Sequence, residues 1–283
     1  MGQTTEIFPR AKKIYKSIFR SKKIDYLAKL AVTMFVNLLA KISGFYFPEK
    51  FNWDWKFEML SGRYEADTVE EFKKIIKPGM TVIDIGAHVG YFTRLFSRLV
   101  GKRGVVIAFE ADINNYNLLN KNTHLKSNVK NYHVAVADKN GTVDFFKTVD
   151  KTGSHSLVAS ETRPDKITVS AQTLDDFLAE KAISQVDIIK MDIEGGEPLA
   201  LKGMTDTLSN NKNIKMIMEF SPENISESGA EPKVLLDDLS RLGFKFKPVG
   251  KNLEIRSIDD IIVLTKNRVG YINLLIYRDD EIK

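Results

Sequence analysis

Cysteine is absent from this 283-residue chain. That excludes a disulfide framework, zinc–thiolate sites and thiol nucleophiles, and it fits a reducing compartment. A cytoplasmic location is therefore expected. Long hydrophobic runs are missing too: the longest uncharged stretch, Leu30 to Ala40, has eleven residues between Lys29 and Lys41. A membrane span needs roughly 20 apolar residues, and no small-residue cleavage site follows this one. Neither a span nor a signal peptide is expected. Internal repeats and low-complexity tracts are also lacking. What is present suits a globular protein: 43% hydrophobic residues supply a core, and 28% charged residues of interspersed sign argue against wholesale disorder.

The charge is unevenly placed. The net charge is +5, yet residues 1–50 hold ten Lys and Arg against Glu6, Asp25 and Glu49, a local +7 that leaves −2 for the remainder. Nucleic-acid enzymes carry basic residues around the active face, so this asymmetry argues against a nucleic-acid partner. Within the arm, Leu27, Leu30, Ala31, Met34, Leu38, Ile42 and Phe45 follow helical spacing. The reading adopted is a helix packed on the following domain, which would bury Leu30, Met34 and Leu38. Its alternatives are peripheral membrane contact through residues 1–47, with Phe45, Tyr46 and Phe47 at one end, or an oligomer contact. No feature of the sequence specifies an oligomeric state.

Residues 1–55 read as a basic helical extension and residues 56–283 as the main domain. An aromatic, polar connector covers Pro48–Gly62. A short helix is expected at Val69–Ile76, with Asp67 and Glu70 as a capping box and Lys77-Pro78-Gly79 as its stop. Strand-like runs follow at Thr81–Ile85, Gly104–Phe109, Val129–Val136, Val186–Met191, Ile214–Phe220 and Tyr271–Tyr277. Helical patterns such as Phe92, Leu95, Phe96 and Leu99 lie between them. This alternation predicts an α/β fold: a doubly wound, mostly parallel sheet with helices on both faces.

The first strand ends in Asp84-Ile85-Gly86-Ala87-His88-Val89-Gly90, where Gly86 and Gly90 would let the backbone pass close to a ligand. In a doubly wound fold this first strand-to-helix turn is where cofactors bind. The spacing is G-x-x-x-G, not the G-x-G-x-x-G that cradles a pyrophosphate, which favours a cofactor without a diphosphate. The second strand ends in Glu110, twenty residues after Gly90. A carboxylate there can accept both hydroxyls of a ribose.

Asp84-x-Gly86-x-x-x-Gly90 followed by Phe109-Glu110 resembles class I, Rossmann-like methyltransferases that bind S-adenosylmethionine. Three further stretches narrow it: Ala135-Val136-Ala137-Asp138 leading into Asn140-Gly141, Thr173-Leu174-Asp175-Asp176, and Lys190-Met191-Asp192-Ile193-Glu194-Gly195. Together they resemble the FkbM-type methyltransferases over roughly residues 60–225. The glycine motif is shared across the superfamily, whereas the Lys-x-Asp-x-Glu-Gly segment is far more diagnostic. The resemblance implies S-adenosylmethionine as cofactor and S-adenosylhomocysteine as product. It implies Asp84 and Gly86 near the methionine part, with His88 in local contact there, Glu110 on the ribose, and Ala87, Gly90, Tyr91 and Ala111 also among the cofactor-binding residues. Ala137 and Asp138 are implied beside the adenine. The chain departs from the family pattern at His88, where Asn is common, at Ala111, where Pro is common, and at Gly196, where a bulkier residue is common. Tyr64, Glu65 and Thr68 precede the first strand and could close over the methionine carboxylate.

Methyl transfer from a sulfonium is an in-line displacement, so the protein mainly positions donor and acceptor. An alcohol acceptor also has to lose a proton to a nearby base. Asp192 and Glu194 at the end of the fourth strand are candidates, and Asp192 could also touch the cofactor. Glu219 ends the next strand at the same sheet edge. Clustered carboxylates suit Mg²⁺, but the spacing supplies no unambiguous third ligand, so no metal site is assigned. His155 lies in a polar loop that could cover the site. Methyltransferases acting on nucleobase amino groups resemble one another in an Asn/Asp-Pro-Pro-aromatic segment after the fourth strand, and Asp192-Ile193-Glu194-Gly195 stands there instead. The expected activity is O-methylation of a small-molecule or glycan acceptor. The rivals are N-methylation on the same scaffold, a nucleotide-dependent oxidoreductase, and a non-catalytic cofactor-binding module acting through the arm.

Overall fold

The computed structural model describes residues 22–49, 51–147, 157, 165–250, 255–266 and 270–279. In chain order its elements are α1 (Lys22–Ser43), α2 (Trp53–Ser61), α3 (Ala66–Ile75), β1 (Thr81–Ile85), α4 (Tyr91–Val100), β2 (Val105–Phe109) and α5 (Ile113–Thr123). Next come β3 (Val129–Tyr132), β4 (Ala135–Val136), β5 (Gly141–Lys147), β6 (Asp165–Gln172), α6 (Leu174–Glu180), β7 (Ile188–Met191), α7 (Glu197–Lys202) and α8 (Thr205–Asn210). The last are β8 (Lys215–Phe220), α9 (Pro222–Glu227), α10 (Pro232–Arg241), β9 (Lys245–Pro248), α11 (Ile258–Lys266) and β10 (Ile272–Tyr277).

Seven strands form one sheet in the order β3-β2-β1-β7-β8-β10-β9, parallel from β3 to β8, with β10 antiparallel to both neighbours. The chain steps outward from β1 to β3, then begins the other half with β7 beside β1. The order therefore reverses between β1 and β7, where open α/β sheets leave a crevice at the strands' carboxyl ends. The doubly wound fold expected from the alternation is the one found.

Near-continuous burial along β1, β2 and β7 follows from coverage on both faces. Val82, Val106 and Ile188 pack with Phe72 of α3 and Phe92 and Phe96 of α4. On the other face Ile83, Ile107 and Ile189 share a core with Phe177 of α6 and Leu236 of α10. α4 is held by this burial, its apolar residues Phe92, Leu95, Phe96 and Val100 all facing inward.

Several local expectations are corrected. The run Val129–Val136 is two strands: β3 joins the large sheet, while β4 belongs to a small sheet ordered β4-β6-β5. The β5–β6 hairpin and the charged edge strand β9 were not expected. The capping box does not form. α3 starts at Ala66, its N-cap is Glu65 in the left-handed region (φ 45°), and Glu70 pairs with Lys73 at 2.7 Å. The arm helix does reach the body, but through Val36 and Ala40, which are buried together with Phe45 beyond its end. Leu30, Met34 and Leu38, expected inside, are 45, 65 and 54% exposed. No helix among the described residues is long and apolar enough to cross a membrane.

Candidate active site

The turn after β1 is tied to β2, because the N–H groups of Gly86 and Ala87 both donate to the Phe109 carbonyl at 3.0 Å. Its backbone takes positive φ at Gly86 (77°), His88 (50°) and Gly90 (87°). A Cβ on Gly86 would lie 2.0 Å from the Asp192 carbonyl oxygen, and one on Gly90 would lie 2.8 Å from Leu119 Cδ1. Chain packing and backbone conformation therefore demand these glycines before any ligand does. This corrects the reason the sequence suggested for them.

Glu110, just past β2, is buried. Its Oε2 accepts from the His88 N–H at 2.7 Å and its Oε1 from the Asp112 N–H at 2.9 Å. Burial pushes its carboxyl up to about 7, against the pull of those donors and of the Asn115 side chain. An ionised carboxylate offers about four acceptor positions, so Glu110 is oriented with capacity to spare.

The opposite end of the turn is charged. Lys190 is buried in β7, where its Nζ donates to the Gly86 carbonyl at 3.2 Å and to Asp192 Oδ2 at 3.3 Å, and lies 3.8 Å from Asp84 Oδ1. Burial works against its charge, but Asp192, Asp84 and Glu65 outweigh it and hold the ammonium above its usual range. Asp84 is fully buried and accepts from Thr93 Oγ1 at 2.6 Å. Burial raises its proton affinity and Lys190 opposes the rise. Glu65 accepts from Asn273 Nδ2 at 3.0 Å, and the same amide donates to Thr68 Oγ1 at 2.9 Å. Burial and then Asp192 push the Glu65 carboxyl up to about 6.

Asp192, Glu194 and Glu219 each bring a carboxylate oxygen within 4.8 Å of the other two. Glu194 has a positive φ (54°) and accepts from Asn224 Nδ2 at 2.9 Å. Glu219 is pushed well above the usual carboxylate range by burial, then by Asp192 and Glu194. Glu219 is thus the third carboxylate of the cluster, brought over by strand order. Behind the three, Glu197 fixes the turn by accepting from the N–H groups of Ile193 (3.1 Å) and Gly195 (2.9 Å).

A cavity runs between these ends. Of the residues singled out in the sequence, Tyr64, Glu65, Gly86, Ala87, His88, Tyr91, Glu110, Ala111, Asp192 and Glu194 line it. Asp84 stands behind Lys190, Thr68 stands behind Glu65, Gly90 packs under Leu119, and Glu219 adjoins Asp192 outside the lining. Ala137 and Asp138 are not at the wall. Ala137 is buried with its N–H on the Gln172 carbonyl, Asp138 is exposed, and Val134, Ala135 and Val136 form the wall instead. His155 lies outside the described residues. Lys190, Asn115, Met59 and Phe145 line the cavity without having been assigned a role. Of these only Lys190 carried a signal, a lysine inside an otherwise apolar buried strand.

The cavity thus has an apolar wall, a ribose-ready acid in its middle and a zwitterion-ready end of Lys190 with Glu65. That donor set fits a nucleoside joined to an amino acid.

The methyltransferase FkbM domain profile matches residues 84–246. The chain is 28% identical to the 2-O-methyltransferase NoeI of Sinorhizobium fredii over 176 residues, 57% of this chain and 71% of that protein. A 45-residue stretch is 47% identical to ribosomal RNA large subunit methyltransferase E of Acinetobacter baumannii, covering 16% of this chain and 21% of that one. Among solved structures, precorrin-6y C5,15-methyltransferase from Geobacter metallireducens aligns at TM-score 0.47 and 10% identity, over 84% of this chain and 95% of that one. With the profile covering more than half of its length, the chain belongs to the FkbM methyltransferase domain family of S-adenosylmethionine-dependent enzymes.

Proposed function

We propose that this protein transfers a methyl group from S-adenosylmethionine to a hydroxyl of a sugar, glycan or natural-product acceptor. The observation that carries this reading is the convergence of Asp192, Glu194 and Glu219 at the charged end of the cavity. An alcohol sheds a proton as it is alkylated, and a carboxylate with raised proton affinity is suited to take it. The 2-O-methyltransferase relative supports the same acceptor chemistry.

When bound, S-adenosylmethionine supplies a methyl group on a sulfonium. Glu110 would accept from the ribose hydroxyls, and Ala111, Val134, Val136 and Phe145 would hold the adenine by apolar contact. Lys190 would face the carboxylate of the methionine part. Glu65 carries the wrong charge for that carboxylate and would take the ammonium instead. The test is incubation with methyl-labelled S-adenosylmethionine and matched acceptors that differ only in hydroxyl against amino. Label on the hydroxyl series alone is expected, and label on the amines would overturn O-methylation.

A further inference from the structure

α1 has two apolar faces. Val36 and Ala40 are buried against the body, whereas Leu27, Met34, Leu38 and Ile42 are 55, 65, 54 and 74% exposed. The exposed four are seven, four and four residues apart, which aligns them in one stripe along the helix. Phe35 flanks the stripe, also exposed. A contiguous apolar stripe on a domain surface marks an interaction site, unlike scattered apolar residues.

Charge identifies the occupant. α1 carries four lysines against one aspartate, and residues 1–50 together hold +7. A second copy would set +7 against +7, whereas anionic headgroups attract every basic residue near the surface. A helix too polar to span, apolar on its outer face and lysine-rich, lies in the plane of a bilayer interface. The adjoining α2 exposes Trp53 and Trp55, a residue type that settles at headgroup level.

We propose that the outward face of α1 docks this protein on an anionic membrane surface. The helix is tied to the catalytic body: Arg94 of α4 donates to the Ser43 and Gly44 carbonyls at 3.3 and 2.9 Å, and Lys56 donates to Asn37 at 3.1 Å. Docking α1 therefore brings the catalytic body to the bilayer with it.

The test is sedimentation of the full-length protein with phosphatidylcholine vesicles, with and without phosphatidylserine. Binding to the anionic vesicles at low salt is expected, weaker by roughly tenfold or more on neutral vesicles or at high salt. The Met34→Glu/Leu38→Glu variant changes only exposed positions, so it should keep its melting temperature and lose binding by a similar factor. Lys41→Gln should weaken binding about fivefold. Wild-type protein that ignores anionic vesicles at low salt would overturn the proposal, as would wild-type-like binding by the double variant. A dimer in the ultracentrifuge that the double variant dissociates, without vesicle binding, would assign the stripe to a second copy.

Discussion

Lys190 is the residue on which the charged end of the site is built. It is buried between Asp84 and Asp192, so Lys190→Met should leave Asp84 buried and unpaired. Breaking such a pair costs about 3–5 kcal/mol, readable by urea unfolding, and a loss below about 1 kcal/mol would mean the pair gives no support. The carboxylates predict a different signature. Asp192→Asn, Glu194→Gln and Glu219→Gln should each slow turnover by roughly 10²–10⁴-fold with cofactor affinity nearly intact. Normal turnover in all three would remove the base assignment, and activity lost to chelator and restored by Mg²⁺ would replace it with metal assistance. Asp192 and Glu194 were legible because they share one strand end with the diagnostic motif. Glu219 was legible as the end of the next strand at the same sheet edge, and β8 pairing beside β7 brings its carboxylate to theirs.

At the scale of elements, the central parallel strands β1, β2, β7 and β8 were legible because both faces are covered and each reads as a largely apolar run bounded by turns. The small sheet was not. β5 and β6 are polar and partly exposed, and Val129–Val136 is unbroken in composition although His133 and Val134 carry the chain from one sheet to another. That break decides which residues form the apolar wall: Val134, Ala135 and Val136 line the cavity, while Ala137 and Asp138 follow them outside its lining. The arm failed differently: its helical period was right, but a helix apolar on two sides does not reveal which side packs. The turn after β1 allows a firm prediction. Gly86→Ala would place a Cβ 2.0 Å from the Asp192 carbonyl oxygen at a φ of 77°. The conformation alone costs of order 1–3 kcal/mol and the clash adds to it, so thermal unfolding should show a large loss or the variant should be insoluble. A near-wild-type melting temperature would mean β1 and β7 are not packed as described.

For the molecule as a whole, Glu110 and Glu197 are both raised by burial from 4.5 to about 7. Between those pH values the folded state binds more protons than the unfolded state, so ligand-free stability should fall as pH rises through this window. Melting temperatures across it check the slope, which Glu197→Gln should flatten; a slope of opposite sign would contradict the burial of these groups. Ribose hydroxyls donate to the ionised form of Glu110, so cofactor affinity should decline below about pH 7, approaching tenfold per pH unit. The central claim is that the cavity at the carboxyl ends of β1, β2 and β7 holds S-adenosylmethionine with Glu110 on its ribose. Calorimetry with S-adenosylhomocysteine at pH 8 tests it most directly. Binding by the wild type is expected, with no response to NAD or ATP and a loss of roughly 1.5–3 kcal/mol in Glu110→Ala, the range for a hydrogen bond to a charged group. Wild-type affinity in that variant, or no binding by the unaltered chain, would contradict that claim.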